Sequence, residues 1–146
     1  MPLAMEKDPF GALGCWSTRR PYNLTPRTQL RSCMSDCLFC KIIAGQIPSK
    51  KVYEDEKVFV FQDINPQAPV HFLIIPREHI VGLKEATEKD AEIIGYCQLI
   101  AAKLGREYKI EDGYRTVLNV GPKSGQSVFH LHLHLIGGRD MTWPPG

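Results

Sequence analysis

Nothing in the 146 residues approaches the roughly 20 consecutive apolar residues that a membrane-spanning helix needs, and the amino end carries no hydrophobic signal core. Net charge is scarce as well. At +2 it is too small to argue for a nucleic-acid surface, so neither a membrane nor a nucleic-acid partner is expected. Five cysteines (Cys15, Cys33, Cys37, Cys40, Cys97) form an odd set without a secretory signal. That argues against a disulfide framework and for a reducing, cytoplasmic setting. Regular βαβ alternation is missing too, which excludes a doubly wound parallel sheet. What remains is a chain of one-domain size, 43% apolar, able to bury a core without cross-links.

The small charge is unevenly placed. Up to Cys33, five basic residues (Lys7, Arg19, Arg20, Arg27, Arg31) face only Glu6 and Asp8, giving +3; a total of +2 then leaves −1 for the remainder. Residues 1–33 mix Gly, Pro, Ser and Arg without an apolar period and read as a disordered basic extension or leader. An organelle-targeting role for the arginines is opposed by Glu6 and Asp8. Met34 marks the expected start of the folded unit, 34–146, or an initiator in its own right.

Beyond it, residues 37–44 predict a short helix stopped by Gly45 and Pro48. Strands are expected at 51–54 and 57–62, with Asp55 and Glu56 in the hairpin connection. The turn-rich stretch Asn65-Pro66-Gln67-Ala68-Pro69 precedes a buried strand at 71–75. Thr87 is a helix N-cap with Asp90 three residues on, and Ile93, Cys97, Ile100 and Leu104 recur at helical spacing to about Tyr108. A further strand at 114–120 leads into Gly121-Pro122-Lys123-Ser124-Gly125-Gln126-Ser127. The order predicts an α+β fold with a five-stranded antiparallel sheet, one long helix and one short one.

The most informative stretch is His130-Leu131-His132-Leu133-His134-Leu135-Ile136. In an extended strand the three imidazoles would share one face and the leucines the other. Imidazole, with an ordinary pKa of about 6.5, can act as nucleophile, acid or base near neutrality. A histidine-rich surface strand or a metal-binding tract is the plainer alternative. Gly125 lets a backbone approach an anion closely, and Ser127 adds a hydroxyl.

Three separated segments make the chain resemble the histidine triad (HIT) superfamily, and within it the Hint branch of histidine triad nucleotide-binding proteins. They are 63–71 (DINPQAPVH), 125–129 (GQSVF) leading into the histidines, and the ending 137–146 (GGRDMTWPPG). The resemblance covers 37–146 and implies a purine nucleoside phosphoramidase acting on adenosine 5′-monophosphoramidates through a nucleotidyl-histidine. It implies His132 as nucleophile, His134 near the phosphate oxygens, His130 as an orienting partner and His71 as a fourth histidine, where a structural histidine is the alternative. Ser127 would bind the phosphate or protonate the departing amine. Asp63 would take the ribose hydroxyls, as a carboxylate can accept from both, with Ile64 against the base. Gly125 and Gln126 would border the phosphate. Asn119 would lie near sugar and phosphate, or simply end a strand. Phe39, Ile42 and Phe61 complete a base slot or belong to the core.

Cys37 and Cys40 have the C-x-x-C spacing that can hold zinc. By likeness to some bacterial members, His79 and His130 would complete a structural site, against the alternative of plain reduced thiols. No cofactor is expected for the chemistry itself. The resemblance also implies a homodimer and an AMP-type nucleotide as partner. Rival functions are a dinucleoside polyphosphate hydrolase of the Fhit type, against which the tail argues, a more distant nucleotidyltransferase, and a nucleotide-binding interaction module without turnover.

Overall fold

The computed structural model describes residues 36–145; the basic extension at 1–33 lies outside them. In chain order the elements are α1 (Leu38–Ile43), β1 (Lys51–Glu54), β2 (Val58–Gln62), β3 (Val70–Pro76), a 3-10 turn (Glu88–Asp90), α2 (Ala91–Glu107), β4 (Tyr114–Val117), a second 3-10 turn (Pro122–Ser124) and β5 (Leu133–Gly137). The five strands form one antiparallel sheet in the order β1-β2-β3-β5-β4. This is the predicted α+β architecture.

Strand alternation divides the molecule into two layers of side chains. Val58 and Val60 of β2, Phe72 and Ile74 of β3, and Leu133 and Leu135 of β5 pack with Cys97, Ile100, Ala101 and Leu104 of α2. Phe59, Phe61, Leu73 and Ile75 point the other way, against Phe39 and Ile42 of α1. With both faces covered, every residue of β3 is buried, which is why it reads as a continuous apolar run.

The helices start and stop where their residues require. Gly45, with φ of +72°, ends α1: its N–H donates to Ile42 O, and Gln46 N–H donates to Lys41 O. At the start of the long helix the Asp90 carboxylate accepts from the Thr87 N–H at 2.7 Å and its hydroxyl at 3.1 Å. The first turn there is 3-10, and the α-helix proper begins at Ala91.

Besides β2, which starts one residue late at Val58, two strands fall three residues short of expectation, and for a common reason. The ladder between β3 and β5 begins at Ile74 opposite Leu133, so His130, Leu131 and His132 precede the sheet instead of belonging to it. Leu131 N–H donates instead to Ile80 O at 2.6 Å, in the segment after β3. With β5 starting at Leu133, β4 ends at Val117, opposite His134, and does not run on to Val120.

Candidate active site

Register brings the first pair of histidines together. Leu73 of β3 faces His134 of β5, and His71, two residues earlier, lies on the same side of the sheet. The His71 Nε2 to His134 Nδ1 distance is 2.9 Å. The direction of that bond follows from its neighbours. Gln67 N–H donates to His71 Nδ1 at 3.0 Å, so the single proton of a neutral His71 sits on Nε2 and is given to His134 Nδ1. His134 therefore carries its proton on Nε2, a buried atom with no hydrogen-bond partner among the described residues. Burial keeps both rings neutral: it lowers His71, against the pull of Asp63, and it pushes His134, together with the rings of His132 and His71, down to about 4.

The tautomer of His132 is fixed differently. Its Nδ1 is 2.7 Å from the carbonyl oxygen of His130, and a carbonyl can only accept, so Nδ1 bears the proton. The lone pair is left on Nε2. His132 is 5% exposed and its ring stands edge-on to Phe39 at 5.2 Å and near His134 at 5.1 Å. The result is a bare nitrogen beside an N–H donor, two rings apart in chemistry and adjacent in space.

Both rings border a cavity of about 940 Å³, within the size range of small-molecule sites. Phe39 and Ile42 of α1 and Phe61 and Leu73 of the sheet supply its apolar walls. Asp63 and the almost fully exposed Ile64 stand at its edge, and Gly125 and Ser127 at another. Asp63 is also 3.5 Å from His71 Nε2, while its other oxygen accepts from Asn65 N–H at 2.8 Å.

Several expected residues sit elsewhere. Gln126 does not line the cavity: buried, it donates to Val81 O at 3.0 Å and accepts from Gly121 N–H at 2.8 Å, closing the loop on itself. The N–H groups of Gly125 and Gln126 are likewise spent, on Pro122 O and Gly121 O. Of the backbone N–H groups of Gly125, Gln126 and Ser127, only that of Ser127 has no partner among the described residues. Gly125 is required for its shape instead, with φ of +95°. Asn119 does not line the cavity; a Cβ at Gly125 would stand 3.7 Å from its Nδ2. His71 touches the row of histidines through His134, at 2.9 Å, and does not itself line the cavity.

His130 also leaves the row. Its Nε2 donates to Pro76 O at 2.8 Å, which leaves the Nδ1 lone pair facing Cys37 Sγ and Cys40 Sγ, each at 3.5 Å. His79 Nδ1 lies 3.3 Å from Cys40 Sγ. All four ligand atoms fall within 4.8 Å of one another. Tetrahedral zinc bonds of about 2.0–2.3 Å put neighbouring ligand atoms roughly 3.5 Å apart, so the donor set fits that ion in number, chemistry and spacing. Burial lowers His79 and takes His130 down to about 4, despite the Pro76 hydrogen bond; both rings are neutral, as ligands must be. Burial, with Cys37 alongside, raises the Cys40 thiol to about 11.

The groups the sequence did not disclose are backbone ones: Gln67 N–H, Pro76 O, Ile80 O and Val81 O, which orient the histidines and the loop. Only the Pro-rich turn before His71 offered a hint, for the first of them.

Comparison with known proteins agrees with this arrangement. A family profile described as HIT domain matches residues 44–141. The 14 kDa zinc-binding protein of Zea mays is 54% identical over 114 residues, covering 77% of this chain and 89% of its own. The adenylylsulfatase HINT1 of Arabidopsis thaliana is 47% identical over 114 residues, covering 77% of this chain and 78% of its own. Among solved structures, a HIT family hydrolase from Legionella pneumophila superposes with a TM-score of 0.74 at 48% identity, covering 76% of this chain and all of its own.

Proposed function

The chain belongs to the HIT domain family, and on that premise we propose that it is a nucleotide-binding hydrolase that cleaves the phosphorus–nitrogen bond of purine nucleoside 5′-phosphoramidates, adenosine 5′-monophosphoramidates among them. The observation that carries this reading is the tautomer pair: an unprotonated Nε2 on His132 beside an unpartnered Nε2–H on His134, both at the cavity.

In the first step the His132 lone pair attacks the α-phosphorus, an Nε2–P bond forms and the P–N bond to the amine breaks. The departing nitrogen takes a proton at the cavity rim, where the Ser127 hydroxyl has no hydrogen-bond partner among the described residues. His132 becomes a nucleotidylated imidazolium whose Nδ1–H stays on the His130 carbonyl, so positive charge develops against a dipole already in place. His134 Nε2–H and Ser127 N–H donate to the nonbridging oxygens. Water then attacks phosphorus, the imidazole leaves neutral, and the released proton restores the donor. Asp63 and Ile64 take ribose and base, with Phe39, Ile42 and Phe61 as the base slot.

Zinc held by Cys37, Cys40, His79 and His130 would serve as a structural ion, since none of the four lines the cavity. The assembly we propose is a cytoplasmic homodimer. Among the described residues no helix is long and apolar enough to cross a membrane.

The test is a fluorogenic adenosine phosphoramidate together with mass spectrometry of trapped protein. His132→Ala is expected to keep its fold and lose turnover by more than about 1,000-fold, with the nucleotide found on His132 in the unaltered protein. A folded His132→Ala protein with full turnover, or a label on another residue, would remove the assignment. Diadenosine polyphosphate belongs in the same panel as the discriminator from a Fhit-type hydrolase. Adenylyl sulfate joins it because the Arabidopsis relative is named for cleaving that class of compound.

A further inference from the structure

His130 belongs to two constellations at once. Its ring reaches the sulfurs of Cys37 and Cys40, and its carbonyl oxygen accepts the proton that sets the tautomer of His132. The sheet does not hold that carbonyl in place, because β5 begins three residues later. What fixes it is the ring, anchored at Pro76 O and at the cysteine cluster, and the Leu131 N–H on Ile80 O. Phe39 adds a second link: it lies between Cys37 and Cys40 in the chain, lines the cavity, and packs edge-on to both His130 at 6.0 Å and His132 at 5.2 Å.

We propose that Cys37, Cys40 and His79 are positioning residues for the reaction: a zinc ion in their site fixes His130, and through its carbonyl and Phe39 sets both the tautomer of His132 and the wall of the nucleotide cavity. This rests on the reading of His132 given above. Without the ion, the His130 ring keeps one anchor, Pro76 O, and loses the other. Its carbonyl, still tethered through Leu131 N–H on Ile80 O, is then less tightly fixed relative to His132 Nδ1, and the proton redistributes between the two nitrogens of that ring. Protonated on Nε2, His132 has no lone pair to offer at the cavity. The same link works in reverse, because a coupling between two binding sites is reciprocal. A nucleotide in the cavity tightens the grip on zinc by the factor by which zinc tightens the grip on nucleotide.

The experiment uses the full chain, zinc-loaded and stripped, with adenosine 5′-monophosphate as the probe. Zinc affinity is measured by competition with a chromophoric chelator in the presence and absence of the nucleotide. The expected result is a tightening of roughly 5-fold or more, matched by an equal loss of nucleotide affinity in the stripped protein. Imidazole ¹⁵N resonances at fixed neutral pH should show His132 as the Nδ1–H tautomer when loaded and as a mixture when stripped. His79→Cys, which keeps four ligands, should retain the coupling, and His79→Ala should lose it while His130 is still present. Affinities that are independent of one another, or a His132 tautomer unchanged by stripping, overturn the proposal. Global unfolding on stripping also overturns it, since the cluster is then a staple of the fold alone. Independent affinities alongside a nucleotide label on His132 sink only the coupling. Failure of the loaded protein to bind the nucleotide sinks the reading of the site, and the coupling with it.

Discussion

A histidine that must stay neutral in the folded protein ties stability to pH, and His134 does so in a definite window. Burial and the neighbouring rings put it at about 4, below the 6.5 or so of an unfolded chain. The unfolded state therefore binds the proton first: the contribution is whole above about pH 6.5 and is lost as pH falls toward 4. A difference of that size corresponds to on the order of 3 kcal/mol. Urea midpoints of the protein should fall across that range, and His134→Asn should make the fall shallower by one proton, His71, His79 and His130 supplying the rest. An unchanged slope in the variant would mean that the folded protein binds a proton at His134 as readily as the unfolded chain does. Gln126 makes a different point about single residues. Its amide spans Gly121 N–H and Val81 O, so it shapes the loop that carries Ser127 without itself touching the cavity. Gln126→Met keeps the bulk and removes both bonds. We expect a cost of about 1–3 kcal/mol in thermal stability and a fall of roughly 10- to 100-fold in kcat/KM for the phosphoramidate through misplacement of the loop. Normal kinetics in a folded Gln126→Met protein would separate Ser127 from the reaction.

The hairpin of β1 and β2 is tied to α2 by one carboxylate. Asp55 accepts from the N–H groups of Lys57 and Val58 and from the hydroxyls of Tyr53 and Tyr96, the last reaching across from the helix. Burial alone would raise its pKa; these hydrogen bonds outweigh it and pull the carboxyl down to about 2. Its stabilising effect is present above about pH 3.8 and lost as pH falls through 2, below the window of the histidines. Asp55→Ala should cost about 1–3 kcal/mol at pH 7, and the gap between the two proteins in urea should close as pH drops from 4 toward 2. A gap that persists at pH 2 would show the loss to be one of packing. The same hairpin shows what was legible beforehand. Period-2 and period-3.6 patterns gave each strand and helix to within a few residues, because each buries one face against the sheet or beneath it. The ends of β4 and β5 were not legible, since where a ladder stops depends on the partner strand and not on the strand's own residues. Nor was the fate of His130. An alternating pattern predicts one face for all three histidines, but the chain leaves the sheet before Leu133, and that ring turns to the cysteines. Backbone groups such as Pro76 O carry no side-chain signal at all.

At the scale of the whole molecule, a single protomer has its tail and two sheet edges, at β1 and β4, without a neighbouring strand among the described residues. Among the described residues no strand lies beside the outer side of β4, Leu99 on α2 is 67% exposed and Trp143 is 82% exposed. Open edges and large exposed apolar side chains are commonly covered by another chain. The tail is nevertheless held in shape, by Arg139 on Gln67 O and by Arg115 on Thr142 O. Yet among the described residues nothing from Arg139 onward borders the cavity of its own protomer. A tail ordered but idle in one copy is well placed to act on another, which is the arrangement expected of the proposed homodimer. Removing residues 141–146 should therefore leave the mass in light scattering at twice that of one chain, because β4, α2 and Leu99 are untouched. It should change the ratio of kcat/KM for adenosine phosphoramidate to that for diadenosine polyphosphate by about 10-fold, the scale of one to two lost contacts at a substrate. A shortened protein that is dimeric with an unaltered ratio would confine substrate choice to the protomer's own cavity. A monomeric full-length chain would instead leave Trp143 without the surface argued for it.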